Sequence, residues 1–500
     1  MFKNTLAQSS PIFLASLFGL LLAPLLLSRL GLDQFGVWAV TGAVATYAGL
    51  VNLGVTRALD RFVALHDSRG DRQAIGECLG LGLLVTTVLG VLVFGAAVLA
   101  TPLATRLLGV LSRDEMRIVL LSSAAILIAQ EYRGVLAAVP VGMRVMVPPN
   151  VAGAFGAVLN FGFSVAALLV SRDLVVYALA NAAAEVIRIA FGAAAMVYVW
   201  RRPTVSLPSM ARAREVIAYS LRNQVHVLSD IVNNQTDKII IALLIGVRVA
   251  AAYELGARAA NAVRALGVLT ISALLPTATA EIASRGRSVI ARMYSHYTER
   301  VVALSFPVLI VTALTAPFLL VAWLGSAPEE GVAVVIAITV AYLARMTIEV
   351  GMNIANADGR PGMVAINSGL TAVLNVVFTL ALAPLFGLWG VLAGTILALL
   401  VGTLLFLRDF HRSYGLPVAT YLRAIRSPVI LAGGLTLPFL IVYLLFGISV
   451  GTRPSAFAAL LAVTGLYGLA YWVLASRLRL LPKRIEFPLF KRPERAVGAP

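Results

Sequence analysis

Cysteine is almost absent from this chain. Cys78 stands alone among 500 residues, which excludes a disulfide framework and a cysteine-based metal site. Charge is sparse as well: Asp, Glu, Lys and Arg make up 13% of the residues, where a soluble domain carries about 25%. A phosphate-cradling loop of the form GxxxxGK[ST] is missing, so the chain has no such means of hydrolysing ATP. The four histidines, His66, His226, His296 and His411, lie far apart and have no neighbour at metal-ligand spacing. Segments between apolar stretches stay under about 25 residues, too short to house a soluble catalytic domain of ~50 residues or more. A membrane-embedded glycosyltransferase or polymerase needs a sizeable loop or an acidic pair at a membrane face, and neither is evident. The chain therefore does not read as an enzyme.

Apolar sequence fills the chain instead. Hydrophobic residues make up 60%. They fall into about fourteen stretches of roughly 18 to 30 residues, the length of helix that crosses a hydrocarbon core of about 30 Å. Hydrocarbon offers no water to the backbone, so each span must be a complete helix. The expected spans lie roughly at 10–30, 36–56, 77–101, 116–138, 147–170, 174–199, 216–246, 250–280, 300–324, 331–357, 361–384, 386–407, 428–450 and 455–476. The fold class expected is an all-α polytopic membrane protein. Lys3 precedes the first stretch as in a signal peptide. No small-residue cleavage site follows, so that stretch is expected to remain as a first helix.

The formal charge of +17 is explained better by topology than by nucleic acid. With the N-terminus inside, and with Arg29, Arg117, Arg133 and Arg300 at span ends counted with their flanking segments, 27 of the 40 Lys and Arg fall on inside segments, 7 on outside loops and 6 within spans. That asymmetry predicts an even number of spans with both termini in the cytoplasm of a cell (inner) membrane protein.

A repeat is visible at two corners. Leu30-Gly31…Phe35-Gly36-Val37-Trp38-Ala39 joins spans one and two, and Ile245-Gly246…Ala250-Ala251-Ala252-Tyr253-Glu254 joins spans seven and eight. In both, a glycine stands seven residues before an aromatic that opens the next helix. Two six-span halves of the same orientation, followed by two extra spans, are expected. The expected organisation is an N-lobe over 1–200, a C-lobe over 201–427, the last two spans over 428–476 and a basic cytoplasmic tail over 477–500. Pro24, Pro276, Pro307 and Pro317 fall inside spans, where proline removes a helix hydrogen bond and permits a bend.

Polar stripes interrupt the apolar spans. Span seven carries Arg222, His226, Asp230, Asn233, Asn234 and Asp237 on one helical face, with Lys238 beside it. Span eight carries Glu254, Arg258, Asn261 and Arg264; span ten carries Arg345, Glu349, Asn353 and Asn356; span six carries Glu185 and Arg188. A charge at the bilayer centre costs about 3 kcal/mol or more on insertion scales, so these stripes should face a cavity or one another. One reading pairs Glu254 with Arg258, Arg345 with Glu349 and Glu185 with Arg188 along single helices. The other is a hydrated, partly cationic cavity, because Arg222, Lys238 and Arg264 have no obvious same-helix acid. Arg57, Asp60 and Arg61 close span two, and Glu131 with Arg133 lies near the cytoplasmic end of span four. These read either as positive-inside anchors or as a cationic mouth for a phosphate headgroup, which suits the donor fork of arginine. The candidate headgroup ligands are Arg57, Arg61, Arg133, Arg222, Lys238, Arg258, Arg264 and Arg345. The candidate coupling or gating residues are Asp230, Asp237, Glu349, Asn233 and Asn234. No cofactor is expected beyond a coupling ion, Na⁺ or H⁺.

The run Leu30-Gly31…Phe35-Gly36-Val37-Trp38, continuing to Leu53-Gly54-Val55…Arg57-Ala58-Leu59-Asp60-Arg61, has a counterpart in Asp237-Lys238-Ile239-Ile240-Ile241…Gly246…Ala252-Tyr253 and Leu275-Pro276. Over roughly spans one to twelve the chain resembles the oligosaccharide flippases of the polysaccharide-biosynthesis family. That family lies within the multidrug/oligosaccharidyl-lipid/polysaccharide (MOP) exporter superfamily. The resemblance implies a V-shaped bundle of two six-helix lobes that moves a polyprenyl-pyrophosphate-linked sugar chain from the inner to the outer leaflet. It also implies that glycosyltransferases or a polymerase of the same pathway act beside it. The related lipid II flippase has two further helices thought to help form a groove for the lipid tail. Here no charged residue stands between 428 and 451, or between 455 and 476, which fits that role. In the lipid II flippase the first span contributes cavity arginines; here residues 12–28 have none and Arg29 sits at the outer end, which points away from lipid II.

Three functions stay open on the residues. A lipid-linked oligosaccharide flippase uses cations for the pyrophosphate and Asn, Asp and aromatic groups for the sugars. An ion-coupled drug exporter of the same superfamily needs acids and a cation-accepting cavity, against which these arginines work. A non-transporting scaffold for envelope assembly keeps the fold but tolerates loss of the central charges.

Overall fold

A helix satisfies its own backbone in hydrocarbon, and helix is what the apolar stretches form. The computed structural model describes residues 2–52, 54–271, 274–446 and 451–481; the side chains of 2–12, 51, 222–227, 230, 266–271, 274–277, 444 and 446 lie outside that description. In chain order the helices are α1 (Phe2–Ala48), α2 (Val55–Asp67), α3 (Arg72–Leu108), α4 (Arg113–Gly142), α5 (Val147–Val170), α6 (Leu174–Val199), α7 (Met210–Leu244) and α8 (Val247–Ile271). They continue with α9 (Leu274–Arg285), α10 (Ile290–Leu314), α11 (Ala316–Leu324), α12 (Glu329–Ala357), α13 (Pro361–Phe386), α14 (Leu388–Tyr414), α15 (Val418–Phe446) and α16 (Arg453–Arg477). Single 3-10 turns lie at Gly49–Asn52 and Arg287–Val289, and no strand occurs among the described residues.

Eleven of these segments are long and apolar enough to cross a membrane. Leu99, Val170 and Leu385 are 81%, 84% and 72% exposed, which water does not tolerate on this scale but hydrocarbon does. The chain is a multi-pass membrane protein. The expected first two spans run together in α1, whose backbone leaves the helix at Gly31 (φ 71°, ψ 178°). Span seven is α7 and span eight begins in α8; their polar stripes put too many charges within one crossing length for either to count among the eleven.

Two compact units divide the chain. One comprises Lys3–Leu255 with Ala372–Gly394, the other Gly256–Thr371 with Thr395–Pro500. In the first unit α4 packs on α2, α3 and α6. Glycine makes that packing possible. A Cβ on Gly134 would stand 2.7 Å from the Thr56 methyl, and one on Gly142 would stand 2.6 Å from Val63 Cβ, so the α2 and α4 backbones approach as glycine-bearing membrane helices do. Val55, Leu59, Phe62, Ile75, Leu79, Val135 and Val139 fill the resulting core. Both corners of the repeat turn on a positive-φ glycine, Gly31 at 71° and Gly246 at 137°. The helix after the first corner meets the start of the helix after the second, where a Cβ on Gly36 would collide with the Val247 carbonyl oxygen.

The connection from α6 to α7 is an extended strap on the first unit. Ser206 N donates to Gly76 O at 3.3 Å. Gly76 and Gly80 on α3 leave room for the carbonyls of Thr204 and Ser206. Glu77 accepts from Ser209 N at 3.3 Å and pairs with Arg212 at 3.0 Å. Arg212 Nη1 in turn lies 2.8 Å from His66 Nε2. Burial, followed by the Arg212 charge, holds the His66 imidazole below its ordinary pKa.

In the second unit α10 packs on α12 and α15. Tyr294, Met346, Ile348, Phe406 and Phe410 form one core, and Val302, Phe306, Ala432, Tyr467 and Tyr471 another. Tyr471 donates to Ala303 O at 2.8 Å and Tyr467 to Ala432 O at 2.9 Å, which ties α16 to α10 and α15. Beyond the end of α12, Asp358 accepts from Arg287 and Tyr414 at 2.9 Å each and pairs with Arg360 at 3.3 Å. Burial alone would raise the Asp358 carboxyl. The hydrogen bonds and the two guanidinium charges outweigh that and hold it below the usual carboxylate range.

Candidate functional site

The polar groups form separate constellations in each unit. In the first, Asp237 of α7 is 2% exposed. Its carboxylate accepts from the Tyr253 hydroxyl at 2.9 Å and from Asn375 Nδ2 at 3.1 Å. Next to it in the chain, Lys238 Nζ pairs with Glu254 Oε2 at 2.6 Å. The acid that balances Lys238 therefore comes from α8, across the corner, as the sequence did not specify. Immediately before Asp237, Thr236 shares a short hydrogen bond with the Tyr47 hydroxyl of α1. Asn233 is half-buried and Asn234 exposed. The backbone of α7 carries Arg222, His226 and Asp230 on the same stripe; their side chains lie outside the described residues.

Asn375 was not singled out by sequence reasoning. Its carboxamide oxygen is buried without a hydrogen-bond partner, as is the hydroxyl of Thr379 one turn further along α13. Asn367, Thr371, Asn375 and Thr379 recur every fourth residue along this span, and that stripe was the available signal. Asp237 and Asn375 thus meet in a dry part of the first unit, with the unsatisfied Thr379 hydroxyl one turn along α13.

A second constellation of the first unit is cationic. Glu185 of α6, 5% exposed at its side chain, holds Arg133 of α4 at 3.0 Å and also pairs with Arg188 one turn along its own helix. The expected Glu185–Arg188 pair is present, but Arg133 shares the same carboxylate, so the triad keeps one net positive charge. Arg57 and Arg61 stand on the exposed face of α2, with the Arg61 guanidinium 4.3 Å from the Tyr219 ring centroid.

In the second unit, α8 and α12 meet through Tyr342, whose hydroxyl donates to Asn261 Oδ1 at 2.7 Å. Arg264 lies over the Tyr342 ring at 4.9 Å, and its Nε is buried without a hydrogen-bond partner. No carboxylate lies within ion-pair distance of Arg264 among the described residues. Arg345 and Glu349 form the expected i, i+4 pair at 2.9 Å, each about one-fifth exposed. Arg258, on the same helix as Arg264, is half-buried. Further along this unit, α15 and α16 bound a groove of about 530 Å³, with Arg426 and Ser427 at one end and Ile430, Leu431, Leu435 and Leu474 along its length.

Comparison with known proteins agrees with this architecture. The family described as polysaccharide biosynthesis protein matches residues 1–281. The lipid II flippase MurJ in an inward closed conformation superposes with a TM-score of 0.68 at 10% identity, over 96% of this chain and 100% of that one. An inward-facing multidrug resistance MATE family transporter of the MOP superfamily superposes at 0.65 with 16% identity, over 82% and 98%. Its outward-facing counterpart gives 0.53 at 16% identity, over 83% and 96%. No curated protein matches the chain by sequence. The chain belongs to the polysaccharide biosynthesis protein family and carries the fold of the MOP exporter superfamily.

Proposed function

We propose that this protein is a flippase. It would carry a polyprenyl-pyrophosphate-linked oligosaccharide from the inner to the outer leaflet of the cytoplasmic membrane by alternating access. The observation that carries the reading is Arg264: a guanidinium of a membrane helix, stacked on Tyr342, with a buried Nε and no acid partner among the described residues. Such a group is stable in a membrane only beside water or an incoming anion. Pyrophosphate supplies that anion, and the open donors of arginine match its oxygens. Only the polar head need cross, since the polyprenyl tail is apolar. The leucine-lined groove between α15 and α16, with Arg426 at its mouth, suits that tail and its first phosphate.

In this reading, fourteen spans place both termini in the cytoplasm, with lobes over 1–200 and 201–427, and the enzymes that build the glycan act at the same membrane. Asp237, with Asn375 and Thr379, serves as the coupling site for Na⁺ or H⁺. Replacing Arg264 and Arg345 together by Ala should abolish glycan export with protein level intact. Each lost charge-assisted contact is worth about 1.5–3 kcal/mol. Lys at either position should rescue partly, because an ammonium cannot make the paired contact. Normal export by the double variant would remove the assignment.

A further inference from the structure

Glu131 is a carboxylic acid inside the membrane part of α4 that the proposed transport cycle does not use. The close approach of α4 to α2 at Gly134 and Thr56 carries it to the point where the second span is broken. There the chain makes the 3-10 turn Gly49–Asn52 and passes through Gly54 in the left-handed region (φ 71°, ψ 17°) before α2 begins. Broken backbone at this depth persists only where neighbouring groups satisfy it.

Glu131 Oε2 accepts two hydrogen bonds, a short one from Asn52 Nδ2 and one of 3.2 Å from Thr56 Oγ1. Asn52 Nδ2 also reaches Thr56 Oγ1 at 3.0 Å. Asn52 is 4% exposed, and its Oδ1 is buried with no partner. An ionised carboxylate accepts only, so it cannot serve that oxygen. A carboxylic acid can: its hydroxyl donates to Asn52 Oδ1 while the other oxygen accepts from Nδ2, closing a ring of two hydrogen bonds.

The charged and titratable groups on the helices around Glu131 have other engagements. On α4 itself, Arg133 is held by Glu185, and Tyr132 shares a hydrogen bond with Thr87. On α6, Arg188 is also held by Glu185. On α2, Arg57 lies beside Asp60, Arg61 stacks on Tyr219, and His66 meets Arg212. On α3, Glu77 pairs with Arg212, and none of Arg72, Cys78 and Arg106 forms a hydrogen bond or ion pair with Glu131, whose partners are Asn52 and Thr56. The segment of α5 carries no charged residue. Among the described residues, no cation compensates a charge on Glu131.

We propose that Glu131 is a proton-binding site. With a proton on Oε1 it pairs with both ends of the Asn52 carboxamide and ties the break in the second span to α4. Without the proton, Asn52 Oδ1 is unpaired and the tie is weaker. The proton comes from water and returns to it, with no bond broken other than O–H. The site is separate from Asp237 and does not depend on what the protein transports.

The full chain in lipid nanodiscs tests this by infrared difference spectroscopy and hydrogen exchange, titrated between about pH 5 and pH 8. A protonated-carboxyl band that shifts in heavy water is expected, absent from Glu131→Gln and displaced in Asn52→Leu. The backbone amides around Gly49–Asn52 should exchange more slowly at the acid end in wild type. In Glu131→Gln, whose amide makes the same paired ring, they should be slow at every pH. A band present in Glu131→Gln and unmoved by Asn52→Leu would overturn the proposal. So would wild-type exchange at these amides that does not change with pH. If Glu131→Gln does not fold, the Asn52→Leu band and the wild-type exchange profile decide alone.

Discussion

Replacing Glu185 by Gln removes one charge and strands two. Glu185, 5% exposed at its side chain, is the shared partner of Arg133 and Arg188, whose side chains are 23% and 13% exposed. Wild type holds one net positive charge there; Glu185→Gln leaves two guanidiniums side by side with no anion. Breaking a buried ion pair from one side costs about 3–5 kcal/mol. Arg133 is the more exposed cation and recovers part of its hydration, so the expected loss is at the lower end, about 3 kcal/mol. Removing one of the stranded cations should restore much of that loss. The double variant Glu185→Gln/Arg188→Gln is therefore predicted to be more stable than Glu185→Gln alone, with a coupling of about 1–3 kcal/mol. Unfolding in increasing SDS, followed by tryptophan fluorescence in mixed micelles, measures the series. Glu185→Gln unfolding with wild type, or a double variant that is merely additive, would refute the shared-partner account.

Other expectations follow from the same contacts. Asp358→Asn should loosen the junction of α12, α13 and α14, because Arg287, Tyr414 and Arg360 all converge on that carboxylate. A carboxyl held below its ordinary pKa of about 3.9 stabilises above that value and ceases to as pH falls through the folded pKa; acid unfolding of Asp358→Asn should lack that component. The strap should respond to pH in the histidine range. A His66 ring held below about 6.5 favours the folded state above that value and disfavours it as pH falls, so proteolysis within 201–209 should speed up below about pH 6 in wild type and less in His66→Gln. Gly36→Leu should hold apart the two repeat corners at Gly36 and Val247; a cysteine pair introduced across that contact should cross-link readily with Gly36 present and poorly with Leu. Equal cross-linking would show that the corners separate at no cost.

Much of this was legible in residue order, and what was not has a common cause. Helical periodicity alone put Arg345 opposite Glu349 and Glu185 opposite Arg188, and both pairs are present. The two corner glycines were visible as a repeated spacing, and both adopt positive φ. Partners from other helices were not visible. Lys238 draws on Glu254 and Arg133 on Glu185, contacts set by how helices pack rather than by spacing. Asn375 was missed although Asn367, Thr371, Asn375 and Thr379 recur every fourth residue along α13, because uncharged side chains stand out less than ionisable ones in a membrane span. The strap over Gly76 and Gly80 was hidden because an extended backbone leaves no period. The count of crossings was blurred by the polar stripes of α7 and α8 that mark the candidate site.

The central claim is that the cationic membrane residues move an anionic lipid headgroup. Purified protein in proteoliposomes, supplied with a polyprenyl-pyrophosphate-linked oligosaccharide in one leaflet, tests it directly through the rate at which the sugar becomes accessible on the other side. The account predicts transfer well above protein-free vesicles, lost in Arg264→Ala/Arg345→Ala and slowed in Asp237→Asn when the Na⁺ or H⁺ gradient drives it. Transfer at the protein-free rate, alongside gradient-driven movement of an organic cation by the same vesicles, would contradict it and make the protein a drug exporter.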